Sequence, residues 1–104
     1  MQVLVNHDNR VRIGEEVATR LTRLIEDSLL HYLDRITRIE MHLTDENAHK
    51  GGPADQRCLL EARLANLAPI AVTHRAEEFQ LAIEGALEKL QHALQHALGK
   101  EQTH

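Results

Sequence analysis

The sequence predicts an α+β fold of order β-α-β-β-β-α, with two helices on one face of a four-stranded sheet. Three observations carry that expectation. Residues 37–44, Thr-Arg-Ile-Glu-Met-His-Leu-Thr, alternate between polar and apolar side chains. In a strand this puts Ile39, Met41 and Leu43 on one face and Arg38, Glu40 and His42 on the other. A second alternating run follows beyond a Gly-rich loop, with Cys58, Leu60, Ala62 and Leu64 on one side and Arg57, Glu61 and Arg63 on the other. Two stretches with apolar residues at spacings of three and four flank the strand region, one before it and one after it. Such a sheet is antiparallel at its centre, with one face buried and one free.

Each element has its own local warrant. Val3 and Val5 alternate with Gln2, Leu4 and Asn6 in a short strand that meets a polar turn over 7–10. Gly14-Glu15-Glu16 then places acidic groups in a first helical turn, where they oppose the positive end of the dipole. Val17, Ala18, Leu21, Leu24, Ile25, Ser28, Leu29 and Tyr32 continue as an amphipathic helix of about 18 residues by that periodicity. Its outward face carries Arg20, Arg23, Glu26, Asp27 and His31. If the first two strands are neighbours, this helix makes them parallel through a right-handed crossover. The loop over 45–56 contains Asn47, Gly51, Gly52 and Pro53, turn signals in a connection too long for a tight hairpin. Strands over 58–64 and 69–74 are joined by a turn at Ala65-Asn66-Leu67, with Pro69 suited to the first position of a strand. Phe79, Ala82, Ile83, Ala86, Leu87, Leu90, Ala93, Leu94, Ala97 and Leu98 form the clearest helical stripe. Glu77 and Glu78 precede it, Gly99 and Lys100 close it, and the last four residues are expected to fray.

Composition narrows the function. A chain of 104 residues supports one core, so 1–104 reads as a single domain. No apolar run approaches a membrane span, and the opening Met-Gln-Val-Leu-Val-Asn lacks the pattern of a signal peptide. A soluble cytoplasmic protein is expected. The single Cys58 has no internal disulfide partner and reads as a small buried hydrophobe. The net charge of −4, from 12 basic and 16 acidic side chains, excludes a protein that coats nucleic acid indiscriminately. A local basic face remains open, because Arg10, Arg12, Arg20, Arg23, Arg35 and Arg38 cluster in the first part of the chain. Protonation among the eight histidines would add to it.

The chemistry of a reaction centre is not visible. Lys50-Gly51-Gly52 lacks the strand-to-helix context of a phosphate loop. Cys58 with a histidine would make a thiol nucleophile only if it pointed outward, against its place in the alternation. His92 and His96 stand i, i+4 and could share a metal, but no third ligand accompanies them, so neither metal nor cofactor is expected. Lys89, His92, His96 and Lys100 fall on one helix face, either the solvated side or a conditional cationic strip. Arg35 and Arg38 flank the entry to the alternating strand, either as surface charges or as planar forks for phosphate. With Tyr32 and Phe79 the only aromatics, base stacking is excluded and any nucleic acid would be read by shape and backbone charge.

Several fragments, taken in order, resemble the ribosome hibernation-promoting and ribosome-associated inhibitor family, also called sigma-54 modulation proteins, in its short single-domain form. They are the opening Met-Gln and its strand, Tyr32-Leu33-Asp34-Arg35-Ile36, Asp45-Glu46-Asn47, Lys50-Gly51-Gly52, Arg57-Cys58, Glu61-Ala62-Arg63, Ala82-Ile83-Glu84-Gly85 and Lys89-Leu90. The resemblance implies a fold similar to double-stranded RNA-binding domains and a non-enzymatic factor that takes no small-molecule substrate. Such a factor binds the small ribosomal subunit, its 16S rRNA and proteins, and blocks the messenger and transfer RNA channel under stress or in stationary phase. A homodimer is compatible with it. By position, Arg35 and Lys89 match basic residues of the family, and His92, His96 and Lys100 fall where its last helix is rich in lysine and arginine. Together with Arg20, Arg23 and Arg38 they form the expected rRNA-binding set. The chain departs from the pattern at Ile25 and Ser28, where lysines are usual, at His92 and His96, and at Leu98, which removes a charge. The rival reading is a protein-interaction module that uses the open sheet face, with Arg38, Glu40, His42, Arg57, Glu61 and Arg63.

Overall fold

A computed structural model describes residues 1–8, 11–46 and 55–102, with the backbone alone over 100–102. The elements are β1 (Gln2–His7), α1 (Glu15–Ser28), a 3-10 turn (Leu30–Tyr32), β2 (Ile36–Asp45), β3 (Gln56–Leu64), β4 (Ile70–Ala76) and α2 (Phe79–Gln102). The order β-α-β-β-β-α is the expected one. The strands lie in sequence order, β1 parallel to β2 and the remaining pairs antiparallel.

The alternation of β2 works as its sequence requires. Ile39, Met41 and Leu43 are buried and pair in register with Ala62, Leu60 and Cys58 of β3, themselves buried. Ile25 and Leu29 from the first helical region and Ala82, Ile83, Ala86, Leu87, Leu90, Leu94 and Leu98 from α2 close over them. Each large aliphatic side chain so buried contributes about 1.5–3 kcal/mol. β2 also holds a device the pattern does not announce. The register steps from Ile36↔Leu64 to Arg38↔Arg63, so Thr37 is an extra residue, a β-bulge. Its hydroxyl donates to the Arg63 carbonyl at 3.0 Å, giving that acceptor a partner where the ladder is interrupted.

The element ends differ from expectation in four places. The first helix stops at Ser28, because Leu29 leaves helical geometry at φ −111 and ψ 23. Leu29 is fully buried, and the Tyr32 amide then donates to its carbonyl at 2.8 Å, so the chain turns over the core before β2 begins. β3 starts at Gln56, two residues before the apolar pattern, and β4 runs over Ile70–Ala76, two residues beyond it at the end but one short at the start, which leaves Pro69 just outside the strand. Gly99 lies inside α2, which continues to Gln102. The turn before β4 falls where it was expected, with Asn66 at φ 65, a left-handed conformation that asparagine tolerates better than most residues. The expected frayed end, the Gly-rich loop with Lys50-Gly51-Gly52, and Arg10 lie outside the described residues or their described side chains.

The helices are not docked alike. α2 lies across β3 and β4, whereas α1 sits beside β1 and meets α2 only sparsely. Gln91 of α2 donates to the Ser28 carbonyl at the end of α1 at 2.7 Å. On the opposite flank of α2, Gly85 rests directly on the His74 ring, where a Cβ would collide with it.

Candidate nucleic-acid interface

The structure distributes the expected basic residues over four surfaces. Arg20 and Arg23 are exposed on the outer face of α1. Arg35 is half-buried at the corner between the 3-10 turn and β2, where its amide donates to the Tyr32 carbonyl and its carbonyl accepts from the Ala65 amide. Arg38 lies on the open sheet face. Lys89, His92 and His96 are exposed on α2, and the side chain of Lys100 falls outside the described ones.

Helix geometry fixes which way the α2 strip looks. At about 100° per residue, Gln91 and Lys89 point about 160° apart, while His92 and His96 lie within about 60° of Lys89. Gln91 reaches α1. Lys89 instead turns toward β4, where its Nζ donates to the Thr73 carbonyl at 2.8 Å. Lys89 therefore lies on the flank of α2 away from α1, with acidic Glu84 and Glu88 exposed on the part of α2 between it and Gln91. The two helices do not form one continuous basic strip.

The open sheet face is charged but internally closed. Across the strands, like faces like: Arg38 opposes Arg63, Glu40 opposes Glu61, and Arg57 opposes Arg75. Such pairs are destabilising when nothing offsets them. Here the offset runs along the strands, with Arg38 at 3.8 Å from Glu40 and Arg63 at 3.3 Å from Glu61. Glu46, at the end of β2, holds both Arg57 at 3.3 Å and Arg75 at 3.2 Å. Each exposed pair is worth at most about 1 kcal/mol, so the larger effect is that three carboxylates offset most of the charge of these four arginines. Glu46 was not singled out from sequence, because its reach to β3 and β4 depends on their order in the sheet.

An apolar cleft of about 290 Å³ opens between α1 and the start of α2, lined by Val17, Leu21, Leu24, Phe79 and Ile83 with Arg12 beside them. Val17 and Leu24 are 40% and 39% exposed, so the apolar stripe of α1 is wider than the core it covers. Cys58 is fully buried, and burial pushes its thiol up to about 12, against a smaller opposing effect of Arg57. It is inert as a nucleophile at neutral pH. Among the described residues no group of three or more His, Cys, Asp or Glu side chains is arranged to hold a metal ion. None of the described helices is long and apolar enough to cross a membrane.

The family profile described as Sigma 54 modulation protein / S30EA ribosomal protein matches residues 9–102. Among solved structures, the fold is similar to the Thermus thermophilus Protein Y N-terminal domain, with a TM-score of 0.73 and 14% identity over 92% of this chain and 98% of that one. It is also similar to a ribosomal subunit interface protein from Coxiella burnetii, with a TM-score of 0.72 and 14% identity over 95% of this chain and 99% of that one. No curated protein matches the chain in sequence.

Proposed function

The chain belongs to the Sigma 54 modulation protein / S30EA ribosomal protein family, and from that premise we propose that it is a cytoplasmic, non-enzymatic ribosome hibernation factor. It binds the small subunit through 16S rRNA phosphate and occludes the messenger and transfer RNA channel in stress or stationary phase. The observation that carries this reading is the family match over almost the whole chain, together with cations that point in several directions at once. A flat RNA surface would meet one group of them. A channel that surrounds the protein meets Arg20 and Arg23 on α1, Lys89, His92 and His96 on α2, and Arg35 at the corner, each against a different wall. Arg38 is the weakest member of the set, since Glu40 already neutralises it.

Binding of this kind releases counterions and weakens steeply with salt, with a log–log slope of roughly −0.7 to −0.9 per phosphate neutralised. The direct experiment is a sucrose-gradient profile of stationary-phase lysate with and without the protein. Co-migration with small-subunit and whole-ribosome fractions supports the reading, and absence from every ribosomal fraction ends it. Co-sedimentation at fixed salt also tests the histidines: tighter binding at pH 6 than at pH 8 is expected if His92 and His96 act as cations when protonated. Equal affinity at the two values removes them from the contact set.

The rival reading, a protein-interaction module on the open sheet face, is favoured by the ion pairs that close that face to RNA. Arg63→Ala with Glu61→Ala, which removes one ion pair without changing net charge, separates the two, because it weakens a protein contact there and leaves ribosome binding intact.

A further inference from the structure

The free edge of β4 offers backbone groups that the ribosome reading does not use, beside a Lys89 that it does. β4 ends the sheet and pairs only with β3 among the described residues. In an antiparallel pair a residue's N–H and C=O point to the same side, alternating along the strand. The Thr73 carbonyl accepts Lys89 Nζ from outside the sheet, so the backbone groups of Thr73 face outward, and with them those of Ala71 and Arg75 two residues away on either side. The edge thus presents three outward-facing residues in an unbroken strand, with Pro69 before the strand rather than in it.

We infer that this edge docks an extended, acidic segment of a partner protein, which adds a fifth strand beside β4 and lays its acidic side chains against α2. The charge pattern sets the choice. Side chains of an added strand would alternate, one set toward the open face and the other toward the flank of α2. On the open-face side they meet Ala71, Thr73 and an Arg75 already held by Glu46. Under α2 they meet the ammonium of Lys89, which already reaches the backbone of β4. A carboxylate there takes over Lys89 and releases the Thr73 carbonyl to the new strand. In the free protein Lys89 guards the edge, as lysines on exposed edges commonly do.

A second copy fits less well. Antiparallel self-pairing centred on Thr73 would bring two Lys89 side chains to the same axis, and each β4 would offer Val72 and His74 to the α2 flank where carboxylates are wanted.

The test uses the whole chain, isotope-labelled for amide NMR, and two capped nonapeptides: Thr-Glu-Val-Glu-Val-Glu-Val-Glu-Thr and its counterpart with lysine at each glutamate. The acidic peptide should shift the amides of Ala71, Thr73 and Arg75 most. The lysine peptide should bind about three- to tenfold more weakly, the range supplied by one or two surface ion pairs. Lys89→Met, an exposed substitution that leaves the fold intact, should shrink that discrimination at least about threefold while the same amides still respond. The proposal is overturned if the acidic peptide does not bind at millimolar concentration, if the shifts centre elsewhere, or if the two peptides bind equally. It is also overturned if the free protein sediments as a dimer with the 71, 73 and 75 amides protected, because a second copy then holds the edge.

Discussion

α1 and α2 face the same sheet yet are attached to it in different ways. Within α1 only Ile25 is fully buried, with Leu29 just past its end. α2 buries seven side chains from Ala82 to Leu98 and adds two polar contacts, Gln91 to α1 and Lys89 to β4. The lesson is a division of labour: α2 holds the core, while α1, with an apolar cleft along its side, presents exposed arginines at little cost to the fold. The helix more readily substituted is the one that carries the cleaner cations.

The largest effect that bears on this contrast lies beneath α2. Cys58 should resist alkylation at pH 8 until the whole molecule unfolds. With its thiol near 12 against an ordinary 9.0, the reactive thiolate is suppressed about a thousandfold. The sign for stability follows. A thiol raised in the folded state gives no loss below its ordinary value, and stability falls as pH rises from 9.0 toward about 12. Urea denaturation of Cys58→Ala across that range should show a shallower decline than the parent. Rapid alkylation of the folded protein would mean that α2 opens as easily as α1.

Leu90→Ala, in the fully buried stripe of α2, should cost about 2–5 kcal/mol by urea denaturation, while Leu24→Ala on α1, 39% exposed, should cost under about 1 kcal/mol. Equal losses would erase the distinction between the helices. Gly85→Ala should cost about 1–3 kcal/mol because its methyl meets the His74 ring. The penalty should largely vanish in a His74→Ala background. Additivity of the two substitutions would place the strain elsewhere. The smallest effect on stability belongs to Arg20→Ala with Arg23→Ala, within about 0.5 kcal/mol, since both are exposed. On the reading proposed above, the same pair should flatten the salt dependence of ribosome binding by about one to two in log–log slope.

How far these contrasts could be read from the sequence depended on whether their cause is local. The alternation from Ile39 to Leu43 and the stripe from Ala82 to Leu98 carry their partners' requirements in their own spacing, so both elements were legible. The break at Leu29 was not, because the three-and-four spacing continues through Tyr32 while the core takes Leu29 out of the helix. Lys89 was legible as a cation on a helix face, but its hold on Thr73 requires knowing that α2 crosses β4. The basic set was read as one group because helical spacing shows that Gln91 and Lys89 look in opposite directions but not which of them faces α1. Likewise Arg38 was singled out without Glu40 as its neutralising neighbour, although the i, i+2 spacing that joins them on one strand face was already in view.

Thr37 bears on strand shape rather than on charge or burial. Without it, Ile36, Arg38 and Ile39 would still alternate inward, outward and inward, and would match Leu64, Arg63 and Ala62 with no interruption. The sheet would accept its deletion, and the segment before it would keep its place, since Ile36 faces Leu64 with or without the extra residue. The extra residue is thus a local kink rather than a spacer: shortening there should straighten the start of β2 and remove the hydroxyl that serves the Arg63 carbonyl, while Arg35 and the core side chains stay seated.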